Sequence, residues 1–171
     1  IAEWAHAIGG TDDDGITTVA EALDGGYIVG GYFESSTINL GNGINLTNKG
    51  TTSYEDGLII KYSASGEVEW AKGIGGARSD RILSIVATSD NGYIVAGNFS
   101  SSDINLENGI KLTNNGNEGN NDGFLIKCSG SGEIEWAKEI GGNSSDSVSS
   151  VVETSDGEYI VVGDFTSDSV D

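Results

Sequence analysis

The apolar residues of the chain fall in short runs, and the runs change character in a fixed order. "RILSIVATSD" (81–90) is apolar on both parities, which predicts a strand covered on both faces. An Asp90-Asn91-Gly92 turn follows, a hairpin signal, and leads into the apolar run "NGYIVAGNFSS". "DGFLIKC" (122–128) predicts a third strand, again apolar on both parities. After "SGSG", the segment "EIEWAKEIG" alternates Glu133 and Glu135 with Ile134 and Trp136, which predicts an outer strand with one face in water. Between the second and third strands lies "DINLENGIKLTNNGNEGNN" (103–121). Its Ile104-Asn105-Leu106 and Ile110-Lys111-Leu112, set about Asn108-Gly109, predict a small accessory hairpin with a polar loop behind it.

This order is written more than once. "EWAKGIGGARSD" (69–80) stands 66 positions after "EWAHAIGGTDDD" and 66 before "EWAKEIGGNSSD". Trp4, Trp70 and Trp136 keep the step, as do Tyr27, Tyr93 and Tyr159, and Phe33, Phe99 and Phe165. Residues 67–105 and 133–171 align without a gap and are identical at 21 of 39 positions. The repeat divides the chain into 1–14, an outer strand of a preceding unit; 15–80 and 81–146, two whole units; and 147–171, the first two strands of another.

A four-stranded unit that is apolar on both faces needs like neighbours on each side. Twisted sheets stacked in this way close radially into a β-propeller, whereas a β-solenoid has shorter coils and parallel strands. The fold class expected is all-β: four-stranded antiparallel blades of a β-propeller, about two and a half of them. Closure takes four to eight blades, or roughly 264 to 528 residues at this period. The chain is therefore expected to need the remainder of a longer chain, or further copies, to complete the ring.

Taken together, "EWAKxIGGxxxD", "SDNGYIVAGNF", "INL…LTNNG" and "DGFLIKCSGSGEIEW" resemble the bacterial SBBP-type β-propeller repeats, over essentially the whole chain. That family writes a Trp-Ala-Lys…Gly-Gly segment, a Gly-Asn-x-Tyr hairpin and an Asp-x-Phe-x-x-Lys…Trp strand pair. The departures are few: Gly25-Gly26, Asn91-Gly92 and Gly157-Glu158 precede the tyrosines, and His6 stands where the other copies have Lys72 and Lys138. The resemblance implies a secreted or surface-attached scaffold without shared catalytic residues.

Charge narrows the partners. With 27 acids against 8 bases the net charge is −19, which repels a phosphate backbone and an anionic membrane surface. No run of about 18 apolar residues is present, so no membrane insertion is expected. Cys128 is the only cysteine and answers to Tyr62 one period earlier, which marks a core position. Asp12, Asp13 and Asp14 are the candidate ligands for calcium, the one cofactor considered. They lack the alternating spacing of a calcium loop, and the other copies read "ARSDR" and "NSSDS". Glu118 with Asp122 is a second, weaker pair.

Catalytic constellations are thin. His6 is the only histidine, and Glu67 with Glu69, or Glu133 with Glu135, imitate a glycosidase pair but alternate toward solvent. The expectation is a binding or scaffolding module outside the cell or on its surface, with a protein or glycan ligand and no catalytic residues of its own. The alternatives are a carbohydrate-active enzyme with its site at the propeller channel, and a self-assembling structural protein.

Overall fold

The computed structural model describes residues 4–51, 53–116 and 119–169. It is all-β apart from one short 3-10 turn at Glu107–Gly109, with fourteen strands and no α-helix among the described residues. The first repeat gives β1 (Asp14–Glu21), β2 (Tyr27–Phe33), the insert strands β3 (Thr37–Asn39) and β4 (Asn45–Thr47), β5 (Asp56–Tyr62) and β6 (Val68–Ile74). The second gives β7 (Asp80–Ala87), β8 (Tyr93–Phe99), the insert strands β9 (Asp103–Asn105) and β10 (Lys111–Thr113), β11 (Asp122–Cys128) and β12 (Ile134–Ile140). Strands β13 (Asp146–Glu153) and β14 (Tyr159–Phe165) begin a third.

Each whole repeat is one antiparallel four-stranded sheet, ordered β1-β2-β5-β6 and β7-β8-β11-β12, and each insert is a separate two-stranded hairpin. The register repeats with the sequence. Asp14 faces Phe33, Asp80 faces Phe99 and Asp146 faces Phe165. The first strand of every sheet carries the same irregularity, between Ile16 and Thr18, Ile82 and Ser84, and Val148 and Ser150. A bulge there sharpens the local twist of an edge strand.

The sheets stack face to face. Strand β7 packs across β1, β2 and β5, and β13 packs across β7, β8 and β11. Ile82 and Ile85 enter a core with Ile28 and Ile59 of the sheet before them, while Ile94 and Ala96 meet Val148 and Val151 of the sheet after.

Two expectations need correcting. The strand buried at every position is the third, β5 and β11, while β7 is buried at three of its eight positions. A central strand is flanked by neighbours as well as covered above and below; β7 is a sheet edge. Nor do the described residues of the opening segment, 4 to 13, form a strand. A ladder needs a partner, and among the described residues none lies beside them. Trp4 nevertheless stacks on Tyr62, with ring centroids 5.6 Å apart.

Trp70 bridges two sheets. Trp70 on β6 lies against Gly132 of the next repeat and meets the Tyr93 ring edge-on, and its indole N–H donates to the Gly130 carbonyl at 3.1 Å. The ring is half-buried rather than enclosed. Gly132 holds φ +83°, which an L side chain rarely adopts, and the indole occupies the space its side chain would fill.

Candidate functional site

An antiparallel meander alternates ends, so connections of like parity gather together. The link from one sheet to the next (75–79) and both insert hairpins therefore lie at the same end. The tight turns before Tyr27 and Tyr93 and the "SASG" and "SGSG" turns lie at the other.

At the insert end each whole repeat carries a pocket. The first, of about 220 Å³, is lined by Asp12, Glu34, Ser36, Asn48, Gly50, Thr51 and Ser53. The second, of about 370 Å³, is lined by Arg78, Ser100, Ser102, Asn114, Gly116, Gly119 and Asn120. Six of the seven linings correspond at the 66-residue step, from Asp12–Arg78 to Ser53–Gly119. The frame is the same in both. Asn48 donates to the carbonyls of Phe33 and Tyr54, each at 2.9 Å, and accepts from the Gly50 N–H at 2.7 Å. Asn114 repeats this with Phe99, Asn120 and Gly116. One amide thus satisfies three backbone groups and folds the loop back on the strand end. The chemistry inside differs: Asp12 and Glu34 give way to Arg78 and Ser100.

Beneath the pockets an aspartate opens each sheet and ties the connection down. Asp80 accepts from the Gly76 N–H (2.8 Å), the Ser101 N–H (3.2 Å) and the Ser101 hydroxyl (2.7 Å). Asp14 and Asp146 hold the corresponding groups of Gly10 and Ser35, and of Gly142 and Ser167. Burial of Asp80 between two whole sheets pushes its carboxyl up to about 6, with neighbouring Asp56 adding to the rise against the donors. Burial acts on Asp146 too, but donation from Ser167, Thr166 and Gly142 outweighs it and its carboxyl is lowered.

Asp56 and Asp122, which open the third strands, are buried and pushed up by burial. Each gives one oxygen to a backbone N–H, of Lys49 at 2.9 Å and Asn115 at 2.6 Å, while its other oxygen lies against Gly75 or Gly141. A Cβ on Gly75 would stand 2.3 Å from the Asp56 Oδ1. Close approach, not an unusual φ, is what requires glycine in this pair: neither Gly75 nor Gly76 has a positive φ.

At the other end, Lys61 and Lys127 are buried on the third strands, β5 and β11. The Lys61 ammonium reaches Asp24 at 2.8 Å and Glu69 at 2.7 Å; Lys127 reaches Asp90 at 2.9 Å and Glu135 at 3.9 Å. Burial alone would lower Lys61, but hydrogen bonds to Asp24 and Glu69 hold it above the ordinary lysine value. Hydrogen bonds from Thr88 and then Lys127 lower Asp90 to about 2. Glu69 and Glu135, read from the sequence as solvent-facing, are exposed and serve as these counter-ions. Burial pushes the Cys128 thiol up to about 12, which suits a core position rather than a nucleophile.

The tri-aspartate run is spread over different tasks. Asp14 is committed to the clamp, Asp12 lines the pocket and accepts from the Thr11 hydroxyl at 3.0 Å, and the Asp13 carbonyl accepts from the Glu34 N–H. Among the described residues no three acidic, histidine or cysteine side chains come together as a metal cage. Glu118 lies outside the described residues. His6 is exposed, with Nε2 2.7 Å from the Gly66 carbonyl and its ring stacked on Tyr62. The clamp was legible in the repeated "D" before each first strand; the pockets and the buried lysines were missed. The signal for the lysines was a cation inside an apolar run at the same place in both copies.

No protein-family model matches this chain, and no curated protein matches it.

Proposed function

We propose that the chain is a run of β-propeller blades of the SBBP repeat type, acting outside the cell or on its surface as a binding or scaffolding module. Its ligand, a protein or glycan, is taken at the insert end of the sheets. The observation that carries this reading is the pair of pockets one repeat apart, alike in frame and different in lining. A frame kept by Asn48 and Asn114 holds loop shape constant, while Asp12 and Glu34 in one pocket and Arg78 and Ser100 in the next vary what is recognised. Binding residues on loops above a rigid sheet scaffold are a common arrangement. The propeller itself is supported by the constant register, the face-to-face stacking at each step and the gathering of all inserts at one end. Calcium is not required by it.

The test is binding of the immobilised chain to arrays of oligosaccharides and of peptides. Exchanging pocket chemistry with the double variant Asp12→Arg/Glu34→Ser is expected to change which probes are retained, with the fold intact by circular dichroism. Retention of nothing by the wild-type chain, or an unchanged set in the variant and in Arg78→Asp, rejects the pockets as the site.

A further inference from the structure

The insert hairpin and the outer strand beside it meet differently in the two whole repeats. In the second insert, backbone hydrogen bonds join Asn114 to Ser102 and Leu106 to Ile110. The Asp103–Thr113 pair between them therefore turns its N–H groups outward. The Thr113 N–H points at β12, where the Glu139 carboxylate accepts from it at 2.9 Å and from the Asn115 side-chain amide at 2.6 Å. The first insert keeps this register, with Asn48 joined to Ser36 and Leu40 to Ile44, so the Thr47 N–H also points outward. Here, however, Gly73 stands in place of Glu139, and Lys49 in place of Asn115. Among the described residues the Thr47 N–H has no acceptor, and the Lys49 ammonium lies 3.4 Å from the Gly75 carbonyl. A Cβ on Gly73 would meet nothing closer than 3.7 Å, so there is room where the glutamate stands in the other copy.

These donors line a groove of about 500 Å³, with β4 and β6 on one side and the insert of the second repeat on the other. Both walls belong to whole repeats, so its shape owes nothing to where the sequence begins or ends. Its charged lining is Lys49, Lys72 and Glu107, of which Lys72 and Glu107 are paired with each other. In a chain with 27 acids and 8 bases, this is a place where the sign of the charge reverses. Leu46, Ile74 and Leu106 add apolar surface beside it. We propose that the groove takes a glutamate side chain of a partner peptide, its carboxylate seated on the Thr47 N–H and the Lys49 ammonium. Glu139 is the template: the same carboxylate, on the same backbone N–H, one repeat later. Lysine in place of Asn115 makes the contact to an incoming anion charge-assisted, and the leucines and isoleucine receive apolar residues flanking the glutamate. The site is separate from the two pockets at the insert loops and does not depend on them.

Amide chemical shifts of the isotope-labelled 171-residue chain test it, on titration at neutral pH with the blocked peptide acetyl-Ala-Leu-Glu-Leu-Ala amide. The Thr47 amide is expected to move and saturate, while Thr113, already bonded to Glu139, stays in place. The peptide with glutamine for glutamate is expected to leave both unmoved. Lys49→Met should weaken binding about fivefold, as for loss of one exposed ion pair. Gly73→Glu brings the chain's own carboxylate to the same donors. It is expected to shift the Thr47 amide without peptide and to abolish binding, with unchanged circular dichroism. No response at Thr47, an equal response at Thr113, equal binding of the glutamine peptide, or undiminished binding by both variants overturns the proposal. Oligogalacturonate moving Thr47 where the peptide does not would overturn the peptide as the occupant.

Discussion

Lys61 lies in a strand buried at all seven positions, yet its ammonium is fully partnered by Asp24, Glu69 and the Tyr62 carbonyl. Removing one counter-ion leaves the other in place, so Asp24→Asn or Glu69→Gln alone should cost about 0.5–1 kcal/mol. The double variant strands a buried cation. It should cost about 2–3 kcal/mol, less than for a fully enclosed pair because both carboxylates stay half in water. Denaturant melts of the four proteins measure the coupling; strictly additive losses would show that the lysine does not depend on the pair. Protonation adds a second prediction. Asp80 is raised to about 6, so its folded form holds a proton more readily than the unfolded chain, and it adds stability below pH 4 that fades as pH rises through about 6. Asp56 and Asp122 are raised and act in the same sense. Asp90, lowered to about 2, acts oppositely and withdraws stability as pH falls from about 4 toward 2. Stability should therefore peak near pH 4, and Asp80→Asn should flatten the slope between pH 4 and 6. An unchanged slope in that variant would assign the titration elsewhere. At this scale the sequence was half legible: a recurring aspartate before a strand announces a turn ligand, but which carboxylate is buried depends on the neighbouring sheet.

Strand order and hairpin inserts were readable as patterns, because period-2 alternation and turn residues act locally. Depth was not. "RILSIVATSD" and "DGFLIKC" look equally apolar, yet only the second becomes a fully buried strand, since position within the sheet decides coverage. The glycine pair was legible as a break, while its reason was hidden in the packing of Asp56 on Gly75. Gly75→Ala should overpack that contact and cost about 1–3 kcal/mol. Trp70→Ala should cost about 2–3 kcal/mol, at or below the low end of the 3–5 of an enclosed ring, because the indole is partly exposed. Thermal or denaturant melts within half a kcal/mol of wild type for both variants would contradict the contacts assigned to this turn and to the bridge between sheets.

At the scale of the whole molecule, the sequence repeat becomes a stack in which every sheet covers the next. Coverage is deepest in the middle and falls off at both outermost faces, where Val19 and Ile160 lie open. The pockets were beyond sequence reading because they form only where a link between sheets, an insert loop and a strand end meet. The stacking itself is tested most directly by native-state hydrogen exchange, read by mass spectrometry in dilute solution where copies stay apart. Amides of β8 (Tyr93–Phe99) and β11 (Asp122–Cys128) are predicted to exchange slowest, and those of β14 (Tyr159–Phe165) fastest among the long strands, despite the near identity of the β8 and β14 sequences. Equal protection of β8 and β14 under those conditions would contradict a stack in which each repeat is stabilised by the one that covers it.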